Sequence, residues 1–462
     1  MDGLPKGDFI GRARERAALE DLYRKGASAF VPIYGRRRVG KTELIRHFVS
    51  GKPHVYFVGK RAPAALQIQE LLETAAESLG QPLLATATRE HWKKALLSIT
   101  DQWKGPGKLV LALDEFQWMA EQSPELTSVL QECWDRRWRD AGNVMLILCG
   151  SYVGFMEREV LGKASPLFGR RTAQIKLLPF GYREAALFHP GYSLVDKART
   201  YFICGGIPQY LRCFRPDRSV EENIAQTMLD PIGPLYNEPD FLLREELREV
   251  ERYATILMSL ARGPKGMTEL AKETGLGRGV HYHLQQLVDL GYLGRRFPLT
   301  GKKPSRQAIR YALEDPLLRF WFHFVYPRRS LLADDTPERS LEARIKPGLD
   351  AYFGKCFERL CREALPGLYR RRGVSAAVEA GEFWNKEAQI DVVAIRDDGW
   401  TDLGECRWGQ VASARALLEE LRAKVAAFPN QRGATTGLLL FTRAKLRSAV
   451  PATCFSLADL YA

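Results

Sequence analysis

The first third of the chain alternates short apolar runs with longer amphipathic stretches. The apolar runs fall at residues 30–34, 55–58, 109–113, 144–148 and 175–178. Stretches with helical periodicity lie between them, for example at residues 64–79 and 90–102. Runs that are apolar throughout are typical of strands buried on both faces, and strands that alternate with helices build parallel sheets. The pattern therefore predicts a parallel α/β sheet.

The pattern changes twice further along the chain. From about residue 181 to 260 it is mainly helical, with Gly- and Pro-containing interruptions at 205–208 and 230–234. Three predicted helices follow, at residues 253–261, 268–274 and 280–290. Two short predicted strands come next, at 293–297 and 309–313, with a basic loop between them. Three helices followed by a β-hairpin are typical of a winged helix-turn-helix.

The last part of the chain has a mixed pattern. A charged, Pro-containing segment at residues 328–347 favours a linker. Beyond it we predict helices at 348–364 and 413–428, and strands at 390–395, 401–405 and 436–441. The predicted organisation is an α/β core at 1–180, a helical segment at 181–245, a winged helix at 246–330 and a second α/β domain at 331–462.

Composition narrows the class of protein. The 462 residues are 45% hydrophobic and 27% charged, which is ordinary for a globular chain of about three domains. The sequence has no apolar run of 18 residues and its N-terminus lacks the apolar core of a signal peptide, so we expect no membrane contact. The eight cysteines form no CxxC pair and predict reduced thiols in a cytoplasmic protein.

The charge balance favours an anionic partner. The chain has 68 Lys and Arg against 55 Asp and Glu, a formal net charge of +13. Nucleic acid is the polyanion that such a chain most commonly meets. A solvated, arginine-rich surface is the alternative explanation of the same numbers.

Residues 35–42 read Gly-Arg-Arg-Arg-Val-Gly-Lys-Thr and fit the pattern GxxxxGK[ST] between an apolar run and a predicted helix. In such a loop the backbone N–H groups wrap phosphates, Lys41 reaches the β- and γ-phosphates, and the Thr42 hydroxyl ligates Mg²⁺. We therefore predict that ATP and Mg²⁺ bind here. The predicted nucleotide-binding residues are Gly35, Arg36, Arg37, Arg38, Val39, Gly40, Lys41, Thr42 and Glu43.

The apolar run at 109–113 ends in two acidic residues, Asp114 and Glu115. An aspartate at the carboxyl end of a strand can hold Mg²⁺ through water, and a following glutamate can orient or deprotonate the attacking water. Together with the loop at 35–42, this pair predicts a nucleotide hydrolase. A strand that simply ends in a polar turn is the alternative for this motif taken alone.

The two motifs resemble those of the archaeal-type P-loop ATPases of the AAA+/STAND group, which often carry a winged helix and a C-terminal domain of unknown function. Residues 9–15, Phe-Ile-Gly-Arg-Ala-Arg-Glu, resemble the FxGRExE box of that group, which packs near the adenine. Ala13 stands where the group has its first glutamate, so the match is partial. The resemblance covers essentially the whole chain.

The same resemblance implies roles for four further residues. Ser151 follows the fourth predicted strand at the place of the sensor-1 polar residue. Arg170 and Arg171 lie in a segment that resembles PLxGR, whose arginine senses or stabilises the γ-phosphate. Pro208 ends a segment that resembles the GxP motif of STAND lids, in which the proline approaches the base. A turn serine, solvated arginines and a plain helix breaker remain the alternatives.

The winged helix offers a second surface for an anionic ligand. The third predicted helix carries Arg278, His281, His283 and Gln285, side chains able to reach base edges or phosphates. The hairpin that follows is basic, with Arg295, Arg296, Lys302, Lys303, Arg306 and Arg310. These cations suit contacts to DNA phosphates beside a groove. A nucleotide lid or a protein contact is the alternative role.

The predicted strands of the last domain carry charged residues in a recognisable arrangement. Asp391 lies on one strand, and Glu405 and Arg407 share a face of the next because side chains alternate along a strand. The arrangement resembles the PD-(D/E)XK nuclease core, whose acids bind Mg²⁺ and whose lysine positions water or stabilises charge. Glu358 matches the acid that this fold often has on a helix. Arg407 replaces the usual lysine, which puts cleavage in doubt.

The predicted fold class is therefore α/β: a P-loop NTPase parallel sheet with a helical lid, a winged helix-turn-helix and a C-terminal α/β nuclease-like domain. The predicted function is Mg²⁺-dependent ATP hydrolysis of the AAA+/STAND type, coupled to DNA binding or regulation through the winged helix, with nucleotide-dependent homo-oligomerisation. An ATP-gated DNA nuclease and an ATP-switched scaffold that binds proteins instead of DNA are the two alternatives.

Overall fold

Five parallel strands form the central sheet of the N-terminal part of the chain. They are β1 (Ala29–Tyr34), β2 (His54–Val58), β3 (Leu109–Asp114), β4 (Val144–Gly150) and β5 (Ile175–Lys176). Their order across the sheet is β2-β3-β4-β1-β5, and each neighbouring pair is parallel. Every residue of β1, β3 and β4 is buried, as their uninterrupted apolar sequences require. The predicted parallel α/β sheet is confirmed.

The computed structural model describes residues 9–87, 91–302, 304–430 and 432–462. It divides into an N-terminal unit that runs to Pro179 and includes Ile207–Gln209, and a C-terminal unit made of Phe180–Gly206 and Tyr210–Ala462. The helices of the N-terminal unit are α1 (Ala13–Arg24), α2 (Lys41–Val49), α3 (Ala64–Leu79), α4 (Trp92–Gln102), α5 (Phe116–Gln122), α6 (Leu126–Cys133), α7 (Arg139–Ala141) and α8 (Val153–Phe155). Leu71, Leu96 and Leu130, from α3, α4 and α6, are buried in one core with Leu111 and Leu146 of the sheet.

The region predicted as a helical lid consists of short helices. They are α9 (Tyr182–Ala185), α10 (Leu194–Cys204), α11 (Pro208–Cys213), α12 (Val220–Ile224) and α13 (Glu238–Glu246). Gly205 ends α10 with a φ of 61°, and Pro208 begins α11. The Gly-Gly-Ile-Pro segment therefore separates two helices, as its composition indicates.

The helix-turn-helix is present at the predicted place. It contains α14 (Val250–Leu260), α15 (Met267–Thr274) and α16 (Val280–Asp289). A small antiparallel sheet joins β6 (Lys265–Gly266), which lies between α14 and α15, to β7 (Leu293–Arg296) and β8 (Arg310–Leu313), which follow α16. The order is β6-β8-β7. Buried side chains of the three helices, among them Leu257, Leu270 and Leu284, hold them together.

The segment at 328–347 is helical and packed, so the prediction of a linker is wrong there. After α17 (Pro316–Phe320) the chain forms α18 (Arg329–Ala333) and α19 (Pro337–Ser340). Leu332, Leu341 and Ile345 are at most 5% exposed. Charged residues dominate the composition, but apolar residues at helical spacing supply a buried face.

A second, mixed sheet forms the end of the chain. Helix α20 (Lys346–Arg371) leads into β9 (Val378–Trp384), β10 (Gln389–Arg396), β11 (Trp400–Arg407), α21 (Ala414–Val425), β12 (Thr435–Thr442), β13 (Thr453–Ser456) and α22 (Leu457–Tyr461). The order is β13-β12-β11-β10-β9, antiparallel among β9, β10 and β11 and parallel among β11, β12 and β13. The sequence pattern did not predict β9 or β13; in β9 a single residue, Phe383, is buried, and the strand carries two glutamates.

Candidate nucleotide site and nucleic-acid interface

The loop between β1 and α2 has the backbone that its glycines allow. Gly40 precedes α2 with a φ of 90°, and Arg38 also has a positive φ of 68°. At Gly35 a Cβ atom would overlap the carbonyl oxygen of Leu177. Glycine at both ends of the loop therefore permits a tight turn that leads directly into the helix.

Lys41 is folded back onto this loop. Its Nζ donates hydrogen bonds of 2.9 Å to the carbonyl oxygens of Gly35 and Arg36. The side chain is buried, and burial lowers the pKa of Lys41 by more than the nearby Cys149, Glu115 and Asp114 raise it. The ammonium group is therefore held at the mouth of the loop, next to acidic residues.

Asp114 is the centre of a polar cluster at the carboxyl end of β3. Its Oδ2 accepts hydrogen bonds from Thr42 Oγ1 at 2.7 Å and from the Tyr56 hydroxyl at 2.5 Å. Its Oδ1 accepts from the backbone N–H of Glu115 at 2.8 Å. Burial, and then Asp114, raise the pKa of Tyr56 strongly, so Tyr56 stays a donor. The structure thus brings the predicted Mg²⁺ residues Thr42 and Asp114 into direct contact.

Glu115 lies in a second cluster, with Ser151 and Gln117. Ser151 Oγ donates to Glu115 Oε2 at 2.8 Å, and Gln117 Nε2 donates to both Ser151 Oγ, at 3.1 Å, and Glu115 Oε2. The φ of Glu115 is 50°, a value uncommon outside glycine. Two donors from different elements therefore fix the carboxylate of Glu115 beside the end of β4.

Arg12 is a site residue that sequence analysis named only as part of the box at 9–15. Its Nη2 donates to Val39 O at 3.0 Å and to Leu178 O at 2.7 Å, and its side chain is buried. It therefore ties the phosphate-binding loop to the segment after β5. Phe9 packs on His47, with ring centroids 4.5 Å apart.

Pro208 lies beside the loop as well. A Cβ built on Gly40 would lie 3.7 Å from Pro208 Cγ. The residue predicted to approach the base is thus adjacent to the phosphate-binding loop in the N-terminal unit.

Arg170 is held within its own domain. Its Nε and Nη2 donate to the Asp135 carboxylate at 3.0 and 2.7 Å, and its Nη1 donates to Pro166 O at 2.7 Å. This pairing raises the pKa of Arg170 and lowers that of Asp135. The guanidinium of Arg171 lies 6.0 Å from the Phe168 ring. A catalytic role for either arginine stays a prediction.

The third helix of the helix-turn-helix exposes only part of the predicted contact set. Of that set, Arg278 and His281 are exposed, and the neighbouring Tyr282, which was not predicted, is exposed as well. His283 is buried and its Nδ1 lies 3.0 Å from Gly279 O, so the prediction that it reaches DNA is wrong. Gln285 Nε2 donates to Asp289 at 2.6 Å.

Part of the predicted DNA-binding wing contacts the C-terminal sheet. Arg296 Nε lies 3.1 Å from Glu314 Oε1 and its Nη1 lies 3.0 Å from Glu382 Oε1. Leu299 N donates to Glu382 O at 2.8 Å, and the Leu299 side chain is buried among core residues of the sheet. The guanidinium of Arg310 lies 4.8 Å from the Trp384 ring.

Arg296 and Arg310 thus have partners on β9, which corrects the expectation that all six cations of the wing are directed at phosphates. Lys303 lies outside the described residues.

The predicted acids of the C-terminal domain lie on neighbouring elements. Glu405 is 1% exposed and receives Lys424 Nζ at 2.8 and 2.7 Å and Arg407 Nη1 at 2.8 Å. Arg407 and Glu405 therefore share one face of β11, as predicted. Asp391 Oδ2 accepts the N–H of Cys406 at 3.1 Å.

These carboxylates influence each other's protonation. Burial raises the pKa of Asp391. Burial and then the charge of Asp391 raise the pKa of Glu358, and raise that of Glu405 to about 7. Among the described residues no group of three or more His, Cys, Asp or Glu side chains is arranged to hold a metal ion. The role of Asp391, Glu405, Glu358 and Arg407 as a second Mg²⁺ site stays a prediction.

In the described ranges no helix is both long enough and apolar enough to cross a membrane.

Comparison with known families defines three parts of the chain. Residues 9–214 match the model of an ATPase domain found predominantly in Archaea. Residues 249–296 match the IclR helix-turn-helix domain, and residues 321–417 match a domain of unknown function from archaeal and bacterial proteins. The resemblance to archaeal-type P-loop ATPases with a helix-turn-helix and a C-terminal domain of unknown function is thus confirmed.

Two individual proteins are similar to this chain. The chain is 24% identical over 392 residues to the uncharacterized protein MJECL04 of Methanocaldococcus jannaschii, covering 84% of this chain and 85% of that one. The Walker-type ATPase PABY2304 of Pyrococcus abyssi superposes with a TM-score of 0.50 at 18% identity, covering 68% of this chain and 96% of the other. The second comparison shows a shared fold.

Proposed function

We propose that this protein is a Mg²⁺-dependent ATP hydrolase of the AAA+/STAND type. The observation that carries the proposal is the contact between Thr42 and Asp114, which joins the GxxxxGK[ST] loop to the acidic end of β3. Oxygen donors from a hydroxyl and a carboxylate fit the ligand preference of Mg²⁺. Thr42 and Asp114 would hold the ion there, and its positive charge would neutralise negative charge on the phosphates.

The chain's own residues supply the remaining parts of an ATP site. The N–H groups of residues 35–40 and the start of α2 form an anion-binding turn, and Lys41 supplies a cation at its mouth. Arg36, Arg37 and Arg38 add positive potential to the loop. Arg12 fixes the loop through Val39 O. Pro208, beside Gly40, supplies an apolar contact for the base.

Glu115 is the proposed general base. Its carboxylate orients or deprotonates water, and Ser151 and Gln117 hold that carboxylate in place. Arg170 and Arg171 are proposed to act on the γ-phosphate only after rearrangement of the Asp135 contact, or toward a second copy of the chain in a nucleotide-dependent oligomer.

DNA binding through the helix-turn-helix is the proposed coupled activity. The exposed Arg278, His281 and Tyr282 on and beside α16 form the contact surface. Arg296 and Arg310 of the wing are expected to contribute less, because both are engaged by β9. The protein is proposed to be a cytoplasmic regulator in which ATP controls DNA binding; if it binds no DNA at low salt, the scaffold alternative replaces this proposal.

The test of ATP hydrolysis compares two lysine variants. Lys41→Ala is expected to abolish nucleotide binding or turnover, because it removes the cation of the loop. Lys60→Ala, at an exposed lysine paired with Glu70, is the matched control and is expected to turn over ATP like the parent protein. Unchanged turnover by Lys41→Ala overturns the proposal.

A second candidate function is metal-dependent cleavage of DNA by the C-terminal domain. One observation favours it: Lys424, on α21, contacts both carboxylate oxygens of Glu405 and supplies a lysine that the strand itself lacks at Arg407. Cleavage of single-stranded, duplex or branched DNA with Mg²⁺ or Mn²⁺, lost in Asp391→Ala, would establish it. No cleavage by the parent protein would leave the domain a binding module.

A further inference from the structure

An open groove of about 980 Å³ lies in the C-terminal domain, and its lining does not include Glu358, Asp391 or Glu405. One wall is the loop after β11 and the first turns of α21, and the other wall is the loop between β12 and β13. Because β11 and β12 are parallel neighbours, both loops leave the same edge of the sheet. The edge at the carboxyl ends of parallel strands is a common place for ligands.

The walls of this groove are strongly basic. The cations that line it come from both walls and are Arg415, Arg422, Arg443, Lys445 and Arg447. Glu419 is the one acidic residue among the described residues of the lining, and it pairs with Arg422 at 2.8 Å. Four cations therefore face the groove without an acid of the lining to neutralise them.

Two further features suit an anionic chain. Helix α21, of 12 residues, begins at the groove, where Ser413 Oγ accepts the N–H of Ala416 at 3.2 Å. Its N-terminus adds partial positive charge to that of the side chains. Val411, Leu446 and Val450 give the groove an apolar floor, against which a base or sugar can pack.

We propose that this groove binds the phosphodiester backbone of nucleic acid. Three of the four cations are arginines, whose planar guanidinium groups bind phosphate oxygens in pairs. Cations on both walls match a chain of regularly spaced phosphates better than a single small anion. The opposite side of α21 carries Glu420 and Lys424, which contact Arg407 and Glu405. A backbone in the groove would therefore run along the helix that supplies Lys424.

This inference rests on the proposed binding of DNA but assigns it a second surface. The test uses the full-length protein and a fluorescent 20-nucleotide DNA, single-stranded and duplex, over a range of salt concentrations. The groove variant is Arg415→Gln, Lys445→Gln and Arg447→Gln together, at three exposed positions. The control variant, Arg136→Gln, Arg158→Gln and Arg339→Gln, removes the same charge from exposed side chains elsewhere.

The groove variant is expected to bind DNA at least about 10-fold more weakly. The slope of log affinity against log salt should fall by roughly two to three, because each lost phosphate contact reduces it by about 0.7–0.9. Its thermal midpoint and ATP turnover should equal those of the parent protein. If the triple variant does not fold, the single variants Arg415→Gln and Arg447→Gln replace it in the binding assay. Each should show about one third of the triple variant's loss in slope.

Equal affinity and slope in the groove variant and the parent protein overturn the inference and leave DNA binding to α16. An equal loss in the control variant also overturns it, since net charge alone would then explain the effect. If the parent protein binds neither the single-stranded nor the duplex DNA at low salt, the proposed DNA binding is wrong and the groove proposal is wrong with it.

Discussion

Thr42 Oγ1 lies 2.7 Å from Asp114 Oδ2, although the two residues are 72 positions apart in the chain. The contact forms because β1 and β3 both flank β4, so the loop after β1 and the end of β3 meet at one edge of the sheet. Two motifs found independently in the sequence are thereby joined into one site. That convergence is the physical basis of the proposed ATP hydrolysis.

Glu115→Gln is expected to retain ATP binding and to slow hydrolysis by about 100-fold or more, the usual contribution of a general base. The amide can accept the same hydrogen bond from Ser151 but cannot take a proton from water. Nucleotide affinity and single-turnover rate measure the two effects separately. Parental turnover in this variant would remove Glu115 from the mechanism.

Gln117→Leu tests whether the position of Glu115 matters. We expect kcat to fall by roughly 10-fold with little change in KM, because the substitution removes a donor to the Glu115 carboxylate and leaves the loop at 35–42 intact. Gln122→Leu, at an exposed residue that ends the same helix, is the control. A rise in KM without a change in kcat would assign Gln117 to nucleotide binding instead.

Arg278→Gln and Arg310→Gln separate the recognition helix from the wing. The first is expected to weaken DNA binding and to reduce the salt slope by about one, as for a lost phosphate contact. The second should leave both nearly unchanged, because Arg310 lies over Trp384. Salt-dependent anisotropy measures the slopes. The opposite pattern would return DNA contact to the wing.

Glu314 makes the packing of the wing dependent on pH. Burial alone would raise its pKa, but Arg359 and Arg296 outweigh burial and lower the pKa to about 2. A carboxylate whose pKa falls on folding stabilises the protein above its unfolded pKa, and that stabilisation is lost as the pH falls toward the folded value. The parent protein should therefore lose stability between about pH 4.5 and pH 2.

Glu314→Gln measures how much the charge of the Glu314 carboxylate stabilises the folded protein. At pH 7 it should lower the free energy of unfolding by up to about 3 kcal/mol, following the size of the pKa shift, and the difference should shrink as the pH falls from about 4.5 to about 2. Glu379→Gln, at an exposed position of β9, is the control. Chemical unfolding at several pH values gives the comparison. A difference that does not depend on pH would mean that Glu314 acts by packing and not by charge.

The sheet and the loop at 35–42 were predictable because their signals are local. A buried strand has an apolar run of its own, and glycines at 35 and 40 followed by Lys41 predict the phosphate-binding turn. Thr42 and Asp114 were both foreseen for the same reason. Tyr56 and Gln117 were not, since their importance depends on which carboxylate lies opposite them after folding.

The wing shows the limit of composition as evidence. A basic hairpin predicts phosphate contacts, yet Glu382, which pairs with Arg296, lies 86 positions away on β9. The sequence alone does not distinguish an exposed arginine from one that is paired with an acid on a distant strand. The burial of His283 was not predictable for the same reason, because it depends on Tyr253, which packs against it from α14.

Phosphate release from ATP over a Mg²⁺ titration tests whether Thr42 and Asp114 form the centre of a Mg²⁺-dependent ATPase. We expect the parent protein to turn over ATP and chelation of Mg²⁺ to abolish that turnover. An Asp114→Asn variant should need more Mg²⁺ and turn over ATP more slowly. Turnover that persists without divalent metal, or is the same in Asp114→Asn, would contradict the proposal.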